Sequence, residues 1–443
     1  MRYSLIRDRW TRGTLLPRLL IGALLLATLC VGAASALYWQ VETVDSAGSV
    51  GWYTSLALDS AGHPHISYLD GENLELRYAA WNGTGWAYRT VDSAGTAGWF
   101  NSLALDSAGN PRISYYDGMD GNLKYAAWDG SAWRIRTVDS VGDVGTYTSI
   151  ALALDGAGNP RISYCDMSGG DLKYAAYVDS MWLYQTVDSE GDVGSYSSLA
   201  LDAAGHPHIS YIDAGNSDLK YAEWNGNDWI IRTVDAAGQV YGTSSLALDG
   251  AGRPHISYFD DPRGDLKYAA YDGSSWRIDT VDSVGIGWAD NSLALDSAGS
   301  PRISYYDQAN GGLKYAAWNG SAWQVTTVDT AGDVGDHNSL ALDNGGNPRI
   351  SYLDATNGDL KYARAEPAPP VQAVPGGTSL PTDTDADGLY DDVNGNGRAD
   401  FADVVLFFNQ MSWISGNEPV GLFDYNRNGR IDFADVVWLF NNL

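Results

Sequence analysis

The chain reads as an all-β protein: a seven-bladed propeller of four-stranded blades, with a small α-helical calcium-loop domain at its C-terminal end. Three observations predict this. The triplet Thr-Val-Asp recurs at Thr43, Thr90, Thr137, Thr186, Thr233, Thr280 and Thr327, every 47 residues with one interval of 49. Each interval holds four short strand-like segments between turn residues, which is the pattern of a propeller blade, whereas an α-solenoid would show helical periodicity. The residues from about 382 onward carry two copies of a loop rich in Asp, Asn and Gly.

Residues 1–36 read as a signal peptide. Arg2, Arg7, Arg9, Arg12 and Arg18 precede an apolar run over 19–32, and Ala34, Ser35 and Ala36 supply small residues for cleavage. The run is short for a membrane span. The expected product is therefore secreted or held at the cell surface, with no span left after cleavage. Cys30 departs with the leader and only Cys165 remains, so no internal disulfide forms. Calcium and a closed topology must supply that stability instead. The formal charge of −28, about −32 once five Arg and one Asp are removed, disfavours nucleic acid and anionic lipid surfaces.

The second unit illustrates the four strands as 102–106, 112–117, 123–128 and 133–139. Ser-Ala-Gly-Asn-Pro separates the first two, and Asn-Gly or Asp-Gly the last two, as at Asn82-Gly83, Asp129-Gly130 and Asn319-Gly320. Poor alternation within the strands fits sheets covered on both faces. The last unit lacks its fourth strand, whereas residues 38–45 form an orphan fourth strand before the first. The N-terminal strand is thus expected to complete the last blade, which removes exposed sheet edges. The propeller is placed at 37–364, a Pro-rich linker at 365–381 and the calcium-loop domain at 382–443.

In the tail, Asp392, Asn394, Asn396, Asp400 and Asp403 fill positions 1, 3, 5, 9 and 12 of a calcium loop, with Gly397 at the sharp turn. Asp424, Asn426, Asn428, Asp432 and Asp435, with Gly429, repeat it. Each loop runs into an apolar helix, and no amphipathic helix precedes either. Two loop-plus-exit-helix units about 32 residues apart resemble a type I dockerin. The resemblance implies a module that folds on two Ca2+ ions and docks onto a cohesin domain of another protein. It assigns partner contact to Phe401, Ala402, Phe433 and Ala434, where many cellulosomal members carry small hydroxyl residues. Asp at position 12 in both loops favours a structural ion over a switch. A metal-stabilised cap without a partner is the plainer alternative. Asp383, Asp385 and Asp387 form a third calcium-like run, or a solvated acidic linker.

All six lysines, Lys124, Lys173, Lys220, Lys267, Lys314 and Lys361, occupy one repeat position, with Arg77 in the first unit. Repetition in every blade favours a structural ion pair with a repeated Asp. The face that receives the variable loops carries Trp52, Tyr53, Trp99, Phe100, Tyr147, Tyr196, Tyr241, Trp288 and His337. Such rings suit sugar faces and protein interfaces alike, or simply pack the loops. No nucleophile elbow, His-rich metal motif or phosphate loop appears, and abundant carboxylates do not make a glycosidase pair. No catalytic residue is assigned. The expectation is an exported, non-catalytic scaffold or binding protein whose propeller meets a glycan or protein. The alternatives are an extracellular carbohydrate-active hydrolase or lyase and a structural surface-layer component.

Overall fold

The computed structural model describes residues 37–443 except 153–157, 237–238, 262–263, 284–289, 368–370, 385–388 and 427–429. The expected leader, with its arginines, lies outside these. Among the described residues no helix is long and apolar enough to cross a membrane.

Seven four-stranded antiparallel sheets make the propeller. Blade 1 comprises Val50–Leu58, Pro64–Asp70, Glu75–Trp81 and Trp86–Asp92 in spatial order from the axis outward. Blades 2 to 6 repeat this, beginning at Ala97, Val144, Val193, Gln239 and Asn291. Blade 7 takes Val334–Leu342, Pro348–Asp354 and Asp359–Pro367 from the end of the array and its outer strand, Leu37–Asp45, from the beginning. The pairing runs from Leu37 opposite Pro367 to Asp45 opposite Leu360. The closure expected from the orphan strand is thus the one observed.

The repeated residues are what joins blade to blade. The Asp of each Thr-Val-Asp triplet, at the end of an outer strand, accepts a phenol hydrogen bond from the following blade. Tyr115 to Asp92 is one example, and Tyr68 to Asp45 carries the series across the seam; all seven are 2.6–2.7 Å. The lysines bridge the same carboxylate and the Asp that ends their own blade's second strand: Lys220 lies 3.2 Å from Asp188 and 3.0 Å from Asp213. Near the axis, the Ser of each inner strand accepts the next blade's backbone N–H, as from Leu103 to Ser55, in all seven blades at 2.9–3.2 Å. At the rim, an outer-strand Trp meets a Tyr of the preceding blade edge-on, at centroid separations of 5.3–5.7 Å around the whole ring. Glycine is required where an inner strand passes the third strand of the preceding blade: a Cβ on Gly145, at φ +106°, would lie 2.7 Å from the Leu123 Cα.

The C-terminal region has three helices, α1 (Phe401–Asn417), α2 (Val420–Phe423) and α3 (Phe433–Asn441). Asp400 with Asp403, and Asp432 with Asp435, form matching capping boxes at the starts of α1 and α3. Phe407, Ile414, Phe423, Tyr425 and Leu439 make its core, against which Tyr38 of the seam strand also packs. The stretch expected as linker begins inside the last strand, and Val374 joins the helical core.

Candidate functional site

The inner strands are irregular where they turn toward the axis. In blade 1 the pairing register shifts between Trp52 and Ser55, which throws Tyr53 into the left-handed region at φ 53°. Phe100, Tyr147, Tyr196 and His337 do the same in blades 2, 3, 4 and 7, at φ 49–52°. Bulky side chains rarely adopt this conformation, which costs on the order of 1 kcal/mol or more each and clusters at functional sites. Side chains of the neighbouring blades hold the strained carbonyls: Thr54 donates to the His337 carbonyl, Asn101 to that of Tyr53, Ser197 to Tyr147 and Ser244 to Tyr196, at 2.8–3.0 Å.

These residues line a cavity of about 440 Å³ on the propeller axis, with walls from all seven blades. Successive rings touch, with centroids 4.4 Å apart for His337 and Tyr53, 4.8 Å for Tyr53 and Phe100, 4.5 Å for Phe100 and Tyr147, and 4.2 Å for Tyr147 and Tyr196. Five blades thus form one aromatic arc. In blades 5 and 6 the equivalent positions, on the same 47-residue register, are Thr243 and Asp290. Of the rings expected on this face, Trp52 and Trp99 stand behind the wall, against His337 and Tyr53 respectively. Trp288 lies outside the described residues, as does the side chain of Tyr241.

Sequence reasoning missed Asp290 and Asp336, which face the arc. Asp290 Oδ2 is 3.0 Å from His337 Nδ1, and the His337 backbone N–H reaches both Asp290 Oδ2, at 3.0 Å, and Asp336 Oδ1, at 2.9 Å. The donor atoms of the three residues all fall within 4.8 Å of one another, a span that a cation can bridge. Burial, reinforced by the neighbouring Asp290 charge, raises the Asp336 carboxyl to about 6. Burial works against charge on Asp290 and His337, but their hydrogen bond overrides it, lowering the first and raising the second. Burial and the Asp290 charge also push the Tyr53 phenol upward. The Asp residues that end the second strands do not line this cavity. Asp117, for example, holds Lys124 at 2.6 Å and accepts the Met119 amide.

No protein-family model matches the chain. No curated protein is similar to it in sequence. Among solved structures, AofleA from Arthrobotrys oligospora is 12% identical, with 66% of this chain and 90% of that one covered and a TM-score of 0.47. A PL25 polysaccharide lyase, an ulvan lyase bound to -[GlcA(1-4)Rha3S]-, is 14% identical over 74% and 94%, with a TM-score of 0.49. Polysaccharide lyase Uly1 is 10% identical over 73% and 90%, at 0.47. At such identities and scores they add nothing to a propeller already evident from its strand pairing.

The residues expected as calcium ligands fall in the segments that lead into α1 and α3 and at the starts of those helices. Asp392 accepts the Asn396 and Gly397 amides, while Asp403 accepts those of Asn394 and Asp400. Asp403 and Asp435 are fully buried, and burial followed by the carboxylates around each raises both above the usual range. The Asn394 Oδ1 is buried with no hydrogen-bond partner. In the second loop Asn426 accompanies Asp435, whose carboxylate accepts its amide. Asn428 lies outside the described residues, and so do Asp385 and Asp387 of the third acidic run; Asp383 is described. Phe401, Ala402, Phe433 and Ala434 are all exposed. Phe401 meets Phe440, and Phe433 meets Phe408, at 6.1 and 6.0 Å, so the duplicated helices present one apolar face in two equivalent halves.

Proposed function

We propose that the propeller is a glycan-binding module, non-catalytic, carried by an exported protein whose C-terminal helices dock it to a partner. The aromatic arc carries this reading: five rings fixed by strained backbone in one axial cavity. Rings packed only to fill space need no left-handed backbone, whereas a preorganised wall binds the apolar faces of sugars without ordering cost. Asn, Ser and Thr side chains between the rings add hydroxyl partners.

An enzyme is the second reading, favoured by the Asp290, Asp336 and His337 cluster, which breaks the sevenfold symmetry. Two observations weigh against it. An oxygen of each carboxylate comes within 4.8 Å of the other, short of the roughly 6.5–9.5 Å that leaves room for the attacking water of an inverting glycosidase. The anionic wall also repels a uronate, the substrate class of elimination chemistry. Incubating residues 37–443 with a polysaccharide panel in calcium separates the readings. Retention without new sugar ends, reduced in Phe100→Ala, is expected; release of new ends overturns the non-catalytic reading.

For the tail, the reading is two structural Ca2+ ions held by the Asp392 to Asp403 and Asp424 to Asp435 loops. The unpartnered Asn394 oxygen and the crowded buried carboxylates support it, since a cation satisfies the first and neutralises the second. The exposed Phe401, Phe408, Phe433 and Phe440 support docking on a cohesin-like domain. Calcium-dependent capture by immobilised cohesins, lost in a Phe401→Ala, Phe433→Ala double variant, is the expected result. Capture unchanged in that variant overturns the assignment of this face.

A further inference from the structure

We propose that the axial cavity recognises an ammonium group, carried on a 2-amino sugar of the glycan and seated between the aromatic arc and the Asp290 and Asp336 carboxylates. This rests on the glycan reading above and adds the charge of the ligand. Three features of the cavity point to it. The π faces of Tyr53, Phe100, Tyr147 and Tyr196 present negative electrostatic potential, which attracts cations as well as the apolar side of a sugar ring. The carboxylates line the same cavity at the His337 end of the arc, Asp336 in the blade of His337 and Asp290 in the blade before it. Their charge is incompletely matched: the His337 side chain hydrogen-bonds Asp290, while Asp336 takes the His337 backbone N–H and a side-chain hydrogen bond with Asp290 itself, neither of which brings a positive charge. With His337 protonated and both carboxylates ionised, the group carries one net negative charge. A neutral sugar leaves that charge uncompensated in a part-buried site, whereas an ammonium group matches it. The whole chain, at −28, draws cations toward it.

A divalent metal would compete for the same three residues. The carboxylates keep His337 protonated to higher pH than a free imidazole, and a metal needs it neutral. The groups that face Asp336 are Asp290, His337, Tyr53 and Tyr306. Of these neighbours and Asp336 itself, Asp336 is the one brought to about 6, so the cavity gains its net charge as pH rises through that value.

Calorimetric titration of residues 37–443 with a glucosamine tetramer and its N-acetylated counterpart, in calcium at pH 7, tests the proposal. The free amine is expected to bind roughly tenfold more tightly, the ratio one close charge and its ring contacts produce. Asp336→Asn is expected to bring the ratio to about one, and Asp336→Glu, which restores the charge, to keep it above one. Tetramethylammonium, whose own charge does not titrate, is expected to bind more tightly at pH 7.5 than at pH 5. Equal affinity for the two tetramers overturns the inference and leaves the glycan reading standing. Binding of tetramethylammonium with neither tetramer overturns both. A preference that survives in Asp336→Asn, or zinc binding that displaces tetramethylammonium, overturns the inference.

Discussion

Tyr53, Phe100, Tyr147, Tyr196 and His337 each hold a backbone conformation that their side chains disfavour, and each is held there by a side chain from the neighbouring blade or by the bulge itself. The same logic of stored cost applies to Asp336. Its folded-state carboxyl titrates near 6 against 3.8 for a free one. A raised folded value means that this group's contribution to stability is complete below the unfolded pKa and is lost as pH rises through the folded one. Asp336→Asn is therefore expected to stabilise the protein at pH 7 by about 2–3 kcal/mol and to change little near pH 3. Thermal melts at the two pH values check it; equal shifts at both would refute the cause. Part of this site was legible before the structure. The rings at Tyr53, Phe100, Tyr147 and Tyr196 stand out by residue type. Asp290 does not, because it is an Asp in a chain with 55 acidic residues. Its signal was register: counting 47 residues on from Tyr196 leads to Thr243 and then to Asp290, whereas following aromatic type leads to Tyr241 and Trp288, two residues early.

At the level of single elements, the inner strands set how closely blades approach. Gly145 packs its α-carbon on the backbone of Leu123, at a φ that L side chains avoid. Gly145→Ala is expected to cost about 2–4 kcal/mol, since the atoms its Cβ would meet include the Leu123 backbone Cα and N, which cannot turn aside as a flexible side chain can. Chemical denaturation, with Gly130→Ala in an open hairpin turn as control for positive φ alone, separates crowding from strain. The repeat made the strands readable, and it made the Lys and Asp sets readable as structural. What it could not reveal was direction. That each Thr-Val-Asp carboxylate serves the next blade's Tyr, and not its own, depends on blade packing that no local pattern encodes. The helices α1 and α3 were readable from their apolar runs after each loop. On the proposed calcium reading, chelation at pH 7 is expected to unfold this region first and leave the blades intact. The raised Asp403 and Asp435 values set the sign: without the ion, these groups favour the folded form at low pH and oppose it as pH rises through their folded values. Amide exchange in EDTA at pH 5 and pH 7.5 should show more opening at the higher pH.

For the molecule as a whole, the seam is the controlling feature. Residues 37–45 supply the outer strand of blade 7, the carboxylate that receives Tyr68 and the Tyr38 ring that packs on the helical region. Removing them opens the Asp359–Pro367 edge and breaks the ring of blade contacts at one place. A chain starting at Ser46 is expected to unfold at lower denaturant concentration and to self-associate through that edge; light scattering beside the intact chain would show it. A monomer of unchanged stability would contradict this account of closure. The register of that seam also fixes how the protein bears load. Leu37 pairs with Pro367, so the first and last residues of the propeller lie side by side at one end of a single strand pair. Force applied between them would part the strands one rung at a time, the weakest way to pull antiparallel strands. If the tail alone is tethered, that force never develops, and cutting away whatever precedes Leu37 turns a mechanical weak point into a free end.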